Sequence, residues 1–183
     1  MGTEVEPDPA SQAASQLRLL AQHFTQYPVT GRTGTRRATA ATPGTPLNLT
    51  VVDHIRASVA EVEQHTRAAA PEAGPLPAEA AAVYEWCRSH TAHADETVRR
   101  RRDTLIYRQQ LEHAIRLGDT TVVRRHRCPG CGTVGLHWRQ AMQRAVCRNQ
   151  RCRAADGGVS AWTLAHLAHE HIEAQEVRVR RAT

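Results

Sequence analysis

The sequence predicts a mainly α-helical protein that carries one small β module near its C-terminus. Apolar residues recur three and four positions apart along most of the chain, and this spacing places them on one face of a helix. The apolar content comes mostly from Ala, Leu and Val, and aromatic residues make up only 4% of the chain, a composition that suits helices. The exception lies between residues 120 and 156, where a β-branched run and four cysteines interrupt the helical spacing.

The N-terminal part is predicted to contain one short helix and a linker. Residues 1–10 are acidic and contain proline, so we expect them to be disordered. Helical spacing then runs over residues 11–27, with Ser11 as the expected N-cap and Tyr27-Pro28 as the end. Residues 28–46 consist mainly of Thr, Gly, Pro, Ala and Arg without apolar periodicity, which predicts a flexible linker. We interpret the linker arginines as solvated, with phosphate contact as the alternative.

Residues 47–118 form the predicted helical domain. Its first helix is broken at Pro71, and helical spacing resumes at Pro77. The second stretch stops at Gly118, a residue that fits the C′ position after a helix. This stretch is either one long helix or two helices with a bend near residues 93–95. A span of this length favours packing on another helix or on a second subunit, so a homo-oligomer is one expectation.

Four cysteines carry the strongest chemical pattern. Cys128 and Cys131 flank a Pro-Gly turn, and two cysteines at this spacing can direct both sulfurs at one ion. Cys147 and Cys152 supply a second pair. Four thiolates without a carboxylate or an open position are typical of a structural zinc site, so we predict one structural Zn²⁺ per chain on these residues. A segment this short needs such a metal because it has too little apolar area to fold alone.

Other interpretations of the cysteines fit less well. A redox pair would need only Cys128 and Cys131, and two disulfides would require an oxidising compartment that nothing else in the sequence indicates. His126 or His137 lies close enough in the sequence to replace one cysteine as a ligand, and this alternative stays open. Cys87 lies in a helical apolar pattern, so we expect a buried hydrophobic residue there.

The four-cysteine stretch resembles the zinc-ribbon class of zinc fingers over about residues 121–156, with four residues between the cysteines of its second knuckle. The resemblance implies a β-hairpin module at residues 119–157. Trp138 is expected to pack on this module, with base stacking as the alternative. The fold class is therefore mainly α with a small β zinc ribbon, in which N-terminal helices (a helical hairpin or long helix) precede the ribbon and a C-terminal helix follows it. The strands are expected at residues 120–127, 136–139 and 144–147.

The last segment, residues 158–183, is predicted to be a helix with a basic tail. Ser160 is the expected N-cap of a helix that runs from residue 161 to residue 177. His166, His169 and His171 lie on this helix, but His171 turns away from the other two. Solvated histidines are therefore favoured over a metal site.

Charge is distributed unevenly along the chain. All 24 basic residues are Arg, and this skew resembles the composition of proteins from genomes of high GC content, such as those of actinomycetes and their phages. Residues 1–98 contain 7 Arg and 11 acidic residues, whereas residues 99–183 contain 17 Arg and 7 acidic residues. The run Arg99–Arg102 covers all faces of a helix and is either a solvated collar or in part a phosphate contact. The candidate nucleic-acid-binding residues are Arg124, Arg125, Arg127, Arg139, Arg144, Arg148, Arg151 and Arg153.

The preferred function is nucleic-acid binding, with double-stranded DNA favoured, in a small regulator or an accessory protein of a phage or mobile element. The helices would then serve in dimerisation or in contact with a protein partner. The alternative is a structural, assembly or adaptor protein that uses the zinc ribbon and the long helix for protein contacts. We do not expect an enzyme, because no P-loop, activated nucleophile or carboxylate cluster is visible; a zinc-dependent enzyme is the remaining alternative. Without a long apolar run or a signal-peptide pattern, a cytoplasmic protein with no membrane partner is expected.

Overall fold

The structure is a computed structural model that describes residues 8–26 and 49–182. Within these ranges helices dominate, and the strands form one small antiparallel sheet in the order β1-β2-β3 beside the cysteines. The predicted linker at 28–46 and most of the predicted disordered start lie outside the described residues. In the described part of the chain, no helix has both the length and the apolar character needed to cross a membrane. The elements are α1 (Pro9–Gln26), α2 (Leu49–Ala69), α3 (Val83–His90), α4 (Glu96–Arg116), β1 (His137–Arg139), β2 (Arg144–Val146), β3 (Ala161–Trp162) and α5 (Leu164–Ala182).

Helix α1 begins earlier than the sequence pattern indicated. The Asp8 carboxylate accepts a hydrogen bond of 3.1 Å from the backbone N–H of Ser11, which makes Asp8 the N-cap. Pro9 occupies the first helical position, where its fixed φ suits the helix and its missing N–H costs nothing. The prediction of Ser11 as the cap was therefore wrong, and Ala10, assigned to the disordered start, is a buried residue of the helix.

The stretch from residue 77 to residue 118 forms two α-helices. The Thr91 hydroxyl donates to the Cys87 carbonyl at 2.7 Å and closes the end of α3. The Asp95 carboxylate accepts from the Val98 N–H at 2.9 Å and caps the start of α4. Gly118 ends α4 with φ of 91°, and its N–H donates to the Ile115 carbonyl, so the predicted C′ role is confirmed.

Helix α4 is shared by two hydrophobic cores. Leu105 and Ile106 pack in a core that α4 forms with α1, α2 and α3, which we call the bundle core. Tyr107, Leu111 and Ala114 pack in a second core with the cysteine region and α5, which we call the module core. One rigid helix therefore connects the bundle to the cysteines.

A chain of buried polar groups fixes α4 against α2 and α3. The Tyr84 hydroxyl lies 2.9 Å from Gln109 Oε1 and 2.7 Å from His113 Nε2, and His54 Nε2 lies 2.9 Å from His113 Nδ1. Because the Gln109 oxygen only accepts, Tyr84 donates to it, His113 Nε2–H donates to Tyr84, and His54 donates to His113 Nδ1. All of these hydrogen bonds can form together only when His113 is neutral. Burial favours this neutral form, since it lowers the pKa of His113 to about 3.

We call residues 127–162 the cysteine module. This module contains the predicted hairpin, but the segments before and after the hairpin differ from the prediction. Strands β1 and β2 pair with Trp138 opposite Ala145, as expected for the hairpin. The predicted strand at 120–127 is wrong: residues 120–123 form a 3-10 turn whose two valines are buried against α4. Residues 161 and 162, where the last helix was expected to begin, form β3 instead, and Trp162 pairs with Ala145. The prediction of Ser160 as the N-cap of the last helix is therefore wrong, because α5 begins at Leu164. The Thr163 hydroxyl caps α5 by accepting from the His166 N–H at 3.0 Å.

Candidate metal centre and basic surface

The four predicted cysteines come together at one point. Their sulfur atoms all lie within 4.8 Å of one another, and the Cys128–Cys152 and Cys131–Cys147 Sγ–Sγ distances are both 3.7 Å. A tetrahedron with zinc–sulfur bonds of about 2.3 Å has sulfur–sulfur edges of about 3.8 Å, whereas a disulfide bond is about 2.0 Å long. The cluster therefore fits one metal ion and excludes disulfides. No other described group of three or more His, Cys, Asp or Glu residues converges in this way.

The first cysteine pair is set by a tight turn. The Gly132 N–H donates to the Cys128 carbonyl at 2.8 Å, and the Cys128 N–H donates to the Thr133 carbonyl at 2.9 Å. Gly132 has φ of 71°, a conformation that side chains disfavour, which explains the glycine after the second cysteine. A Cβ at Gly130 would lie 3.3 Å from the Trp162 ring, so β3 packs directly on this turn.

Asn149 organises the second cysteine pair and accommodates its longer spacing. Its backbone N–H donates to Cys147 Sγ at 3.4 Å, and its carbonyl accepts from the Cys152 N–H at 2.9 Å. Its side-chain amide also lies 3.7 Å from Cys131 Sγ. Asn149 thus contacts three of the four cysteines. Asn149 was not among the predicted site residues, although an asparagine two positions after a candidate ligand cysteine is suited to such a turn.

The electrostatics of the cluster favour a cation at its centre. Hydrogen bonding with Thr133 lowers the pKa of the exposed Cys131 thiol to about 6, while burial raises the pKa of Cys147 to about 12. Four thiolates this close repel each other, and a divalent cation among them removes that repulsion and keeps all four deprotonated. The Ser160 hydroxyl lies 3.2 Å from Cys152 Sγ, close enough to donate to a thiolate. Four protein donors leave no position for a substrate, so the site is structural in character.

The histidines lie outside the cysteine cluster. His126, one of the two alternative ligands, is buried with its Nε2 atom 3.3 Å from the Tyr107 hydroxyl, and neither it nor His137 belongs to the cluster. On α5, His169 lies 3.3 Å from a Glu173 oxygen on the solvent side. His171 differs from the expectation of a solvated residue, because it is half-buried and its ring stacks on Tyr107 at 4.0 Å.

The eight predicted arginines are all exposed on or next to the cysteine module. Residues 120–155 contain all eight and no Asp or Glu. Arg139 and Arg144 are direct cross-strand neighbours on the hairpin, an arrangement of like charges that destabilises a sheet. Arg127 donates to the Gly132 carbonyl and Arg139 donates to His137, both neutral acceptors. Arg125 aside, none of the eight has a carboxylate partner within the described residues.

The arginines of the helices are arranged differently. Most arginines of the described bundle helices have a carboxylate within salt-bridge distance. Within the run Arg99–Arg102, two arginines are paired and two are not. Arg100 pairs with Glu176 at 2.6 Å and Arg102 with Asp103 at 2.8 Å, whereas Arg99 and Arg101 are exposed without an ion pair to a described residue. Other paired arginines are Arg18 with Glu79, Arg67 with Glu63, Arg88 with Asp8, and Arg108 with Glu61 and Glu112.

Comparison of the chain with protein-family models, with curated proteins and with solved structures gave no match in any of the three.

Proposed function

We propose that this chain is a zinc-ribbon protein that binds nucleic acid, with double-stranded DNA favoured, through the eight arginines of residues 120–155. The observation that supports this function is the excess positive charge of residues 120–155, which contain eight Arg and no acidic residue. A zinc ion with four thiolates carries a charge of −2, so the segment keeps a net charge of about +6 when the metal is bound.

A bound polyanion would reduce the electrostatic repulsion among the arginines of this surface. Arg139 and Arg144 repel each other across the hairpin, and no acidic side chain of residues 120–155 is present to offset them. The guanidinium group forms paired, planar hydrogen bonds to phosphate, and binding several phosphates releases counterions from the nucleic acid. The zinc ion in this proposal is a scaffold that holds the turns and strands on which the arginines lie.

An assembly or adaptor role is the second candidate. Three apolar side chains of the cysteine module, Val134, Met142 and Val159, are each at least 51% exposed. Exposed apolar residues beside arginines can contact an acidic and apolar protein partner. Such a contact would depend less on salt than phosphate binding does.

The test is fluorescence anisotropy of the zinc-loaded protein with a labelled duplex and a labelled single strand over a range of salt concentrations. A variant that replaces Arg124, Arg144 and Arg151 with Gln removes three exposed charges without a carboxylate partner. The matched control replaces Arg18, Arg67 and Arg88 with Gln, which removes three charges that are ion-paired in the bundle. Both variants therefore change the net charge equally.

We expect the log–log salt dependence to report several phosphate contacts at about 0.9 per contact, and the module variant to lower that slope by up to about 3. The control variant should keep most of the slope. Absence of binding at low salt would refute the proposal. Equal weakening by the two variants would also contradict it, because only the total charge of the protein would then matter.

A further inference from the structure

A polar groove lies where the hairpin of the cysteine module meets α4 and the first turn of α5. Its volume is about 750 Å³, within the range of about 300–1,000 Å³ of pockets that hold small organic ligands. The hairpin side is lined by Trp138, Gln140 and Arg144, and the α4 side by Arg108, Glu112 and Arg116.

The groove carries uncompensated positive charge. Arg108 pairs with Glu112 at 2.6 Å and also with Glu61, so two carboxylates more than balance its charge. The charged residues that line the groove are three arginines and Glu112, which leaves an excess of positive charge. Arg116 and Arg144 are exposed, and neither has an ion pair with any described residue. These two arginines come from different elements and line the same groove, so the groove favours an anionic ligand.

Trp138 adds an aromatic surface beside these charges. Its ring is only partly buried: it packs on the module core and also lines the groove. The indole N–H donates to Gln140 Oε1 at 2.8 Å, which fixes the ring and leaves the Gln140 amide N–H groups available to a ligand. A fixed indole that lines the same groove as two arginines combines the two features that bind an unstacked base and its phosphate.

A second cavity lacks this combination of an aromatic side chain and unpaired arginines. It lies between the start of α1 and the facing parts of α4 and α5 and has a volume of about 480 Å³. Its arginines are mostly balanced by acids, as in the pairs Arg88–Asp8 and Arg100–Glu176, and no aromatic side chain lines it.

We infer that the groove binds one unpaired nucleotide of a nucleic-acid strand, with the base against Trp138 and the phosphate between Arg116 and Arg144. This inference rests on the proposed nucleic-acid binding and adds a place where a strand leaves the duplex. The preferred ligand is then a duplex that has a single-stranded end or an unpaired base.

The experiment compares a blunt duplex with the same duplex carrying a short single-stranded overhang, with tryptophan fluorescence as a second readout. Stacking contributes about 5- to 150-fold in affinity per base, so the overhang should bind at least 5-fold more tightly and quench the fluorescence. Trp138→Phe should abolish that quenching. Arg116→Gln should reduce the preference for the overhang, while Arg101→Gln, an exposed arginine of the same helix outside the groove, should leave it unchanged.

Equal affinity for the two duplexes, with the salt dependence intact, would overturn the nucleotide groove and leave the proposed function standing. Failure to bind either duplex would overturn both. Quenching by a free nucleoside monophosphate as strong as that by the overhang would show that the groove binds small molecules and not a strand. Should Trp138→Phe fail to fold, the comparison of Arg116→Gln with Arg101→Gln still decides the matter.

Discussion

Replacement of one candidate ligand cysteine should distinguish the stability that a bound metal contributes from the stability that ordinary packing contributes. We choose Cys152→Ala, because Cys152 is buried in the module core and its sulfur lies 3.7 Å from that of Cys128. The matched control is Cys87→Ala, a cysteine that is fully buried in the bundle core and lies outside the cluster. Both changes remove one buried sulfur, and only the first removes a candidate metal ligand.

The expected magnitude follows from the four-ligand geometry. Structural zinc contributes about 10–16 kcal/mol in small zinc-stabilised domains, so one of four equal ligands accounts for about 2.5–4 kcal/mol, or a loss of about 70- to 1,000-fold in zinc affinity. At a fixed free zinc concentration this loss should lower the melting temperature by about 5–15 °C for a chain of this size. Cys87→Ala should cost about 1 kcal/mol and retain one zinc ion per chain.

Zinc content by elemental analysis and thermal unfolding with and without a chelator provide the assay. In the presence of the chelator the penalty of Cys152→Ala should largely disappear, because the parent protein then lacks the same metal. The penalty of Cys87→Ala should persist. A parent protein without bound metal, or a Cys152→Ala variant with unchanged zinc affinity, would refute the proposed coordination.

Two further predictions concern the buried polar chain of the bundle. Because burial lowers the pKa of His113 to about 3, below its ordinary value of 6.5, the unfolded state binds more protons between these values. The contribution of His113 to the free energy of unfolding should therefore be fully present above pH 6.5. It should fall as the pH drops below 6.5, by at most about 1.4 kcal/mol per pH unit. In urea denaturation, the His113→Leu variant should lose stability less steeply over the same pH range. Tyr84→Phe should cost about 2–5 kcal/mol in urea denaturation at neutral pH, since it leaves Gln109 Oε1 and His113 Nε2 buried without the hydroxyl between them. A Tyr84→Phe penalty below about 0.5 kcal/mol would contradict the assigned chain.

The cysteine cluster and the helices could be predicted because each depends on local rules. Metal ligation limits which residue types and spacings can work, so Cys128 and Cys131 at one end and Cys147 and Cys152 at the other define the cluster without knowledge of the fold. The end of α4 at Gly118 could also be predicted from the local sequence, because few residues other than glycine adopt its backbone conformation.

The wrong predictions concern residues whose conformation depends on contacts with distant parts of the chain. The valines of residues 120–123 favour a strand by propensity, but their burial against α4 holds them in a 3-10 turn. Ser160 and Thr163 are both good caps, and only the pairing of Trp162 with β2 shows that the helix starts after the second of them. The groove beside Trp138 joins three elements that are far apart in the sequence, so no local pattern could indicate it.

The sharing of α4 between the two cores determines how the protein can be divided. A fragment that starts at residue 119 would contain all four cysteines but would lack Tyr107, Leu111 and Ala114, which supply the α4 side of the module core. A truncation intended to isolate the cysteine cluster should therefore begin at Asp95, so that its carboxylate still caps α4. Because α4 contributes residues to both cores, we expect their unfolding to be coupled. Removal of a metal from the cysteine cluster should then lower the stability of the bundle, and a destabilising substitution in the bundle should weaken metal binding.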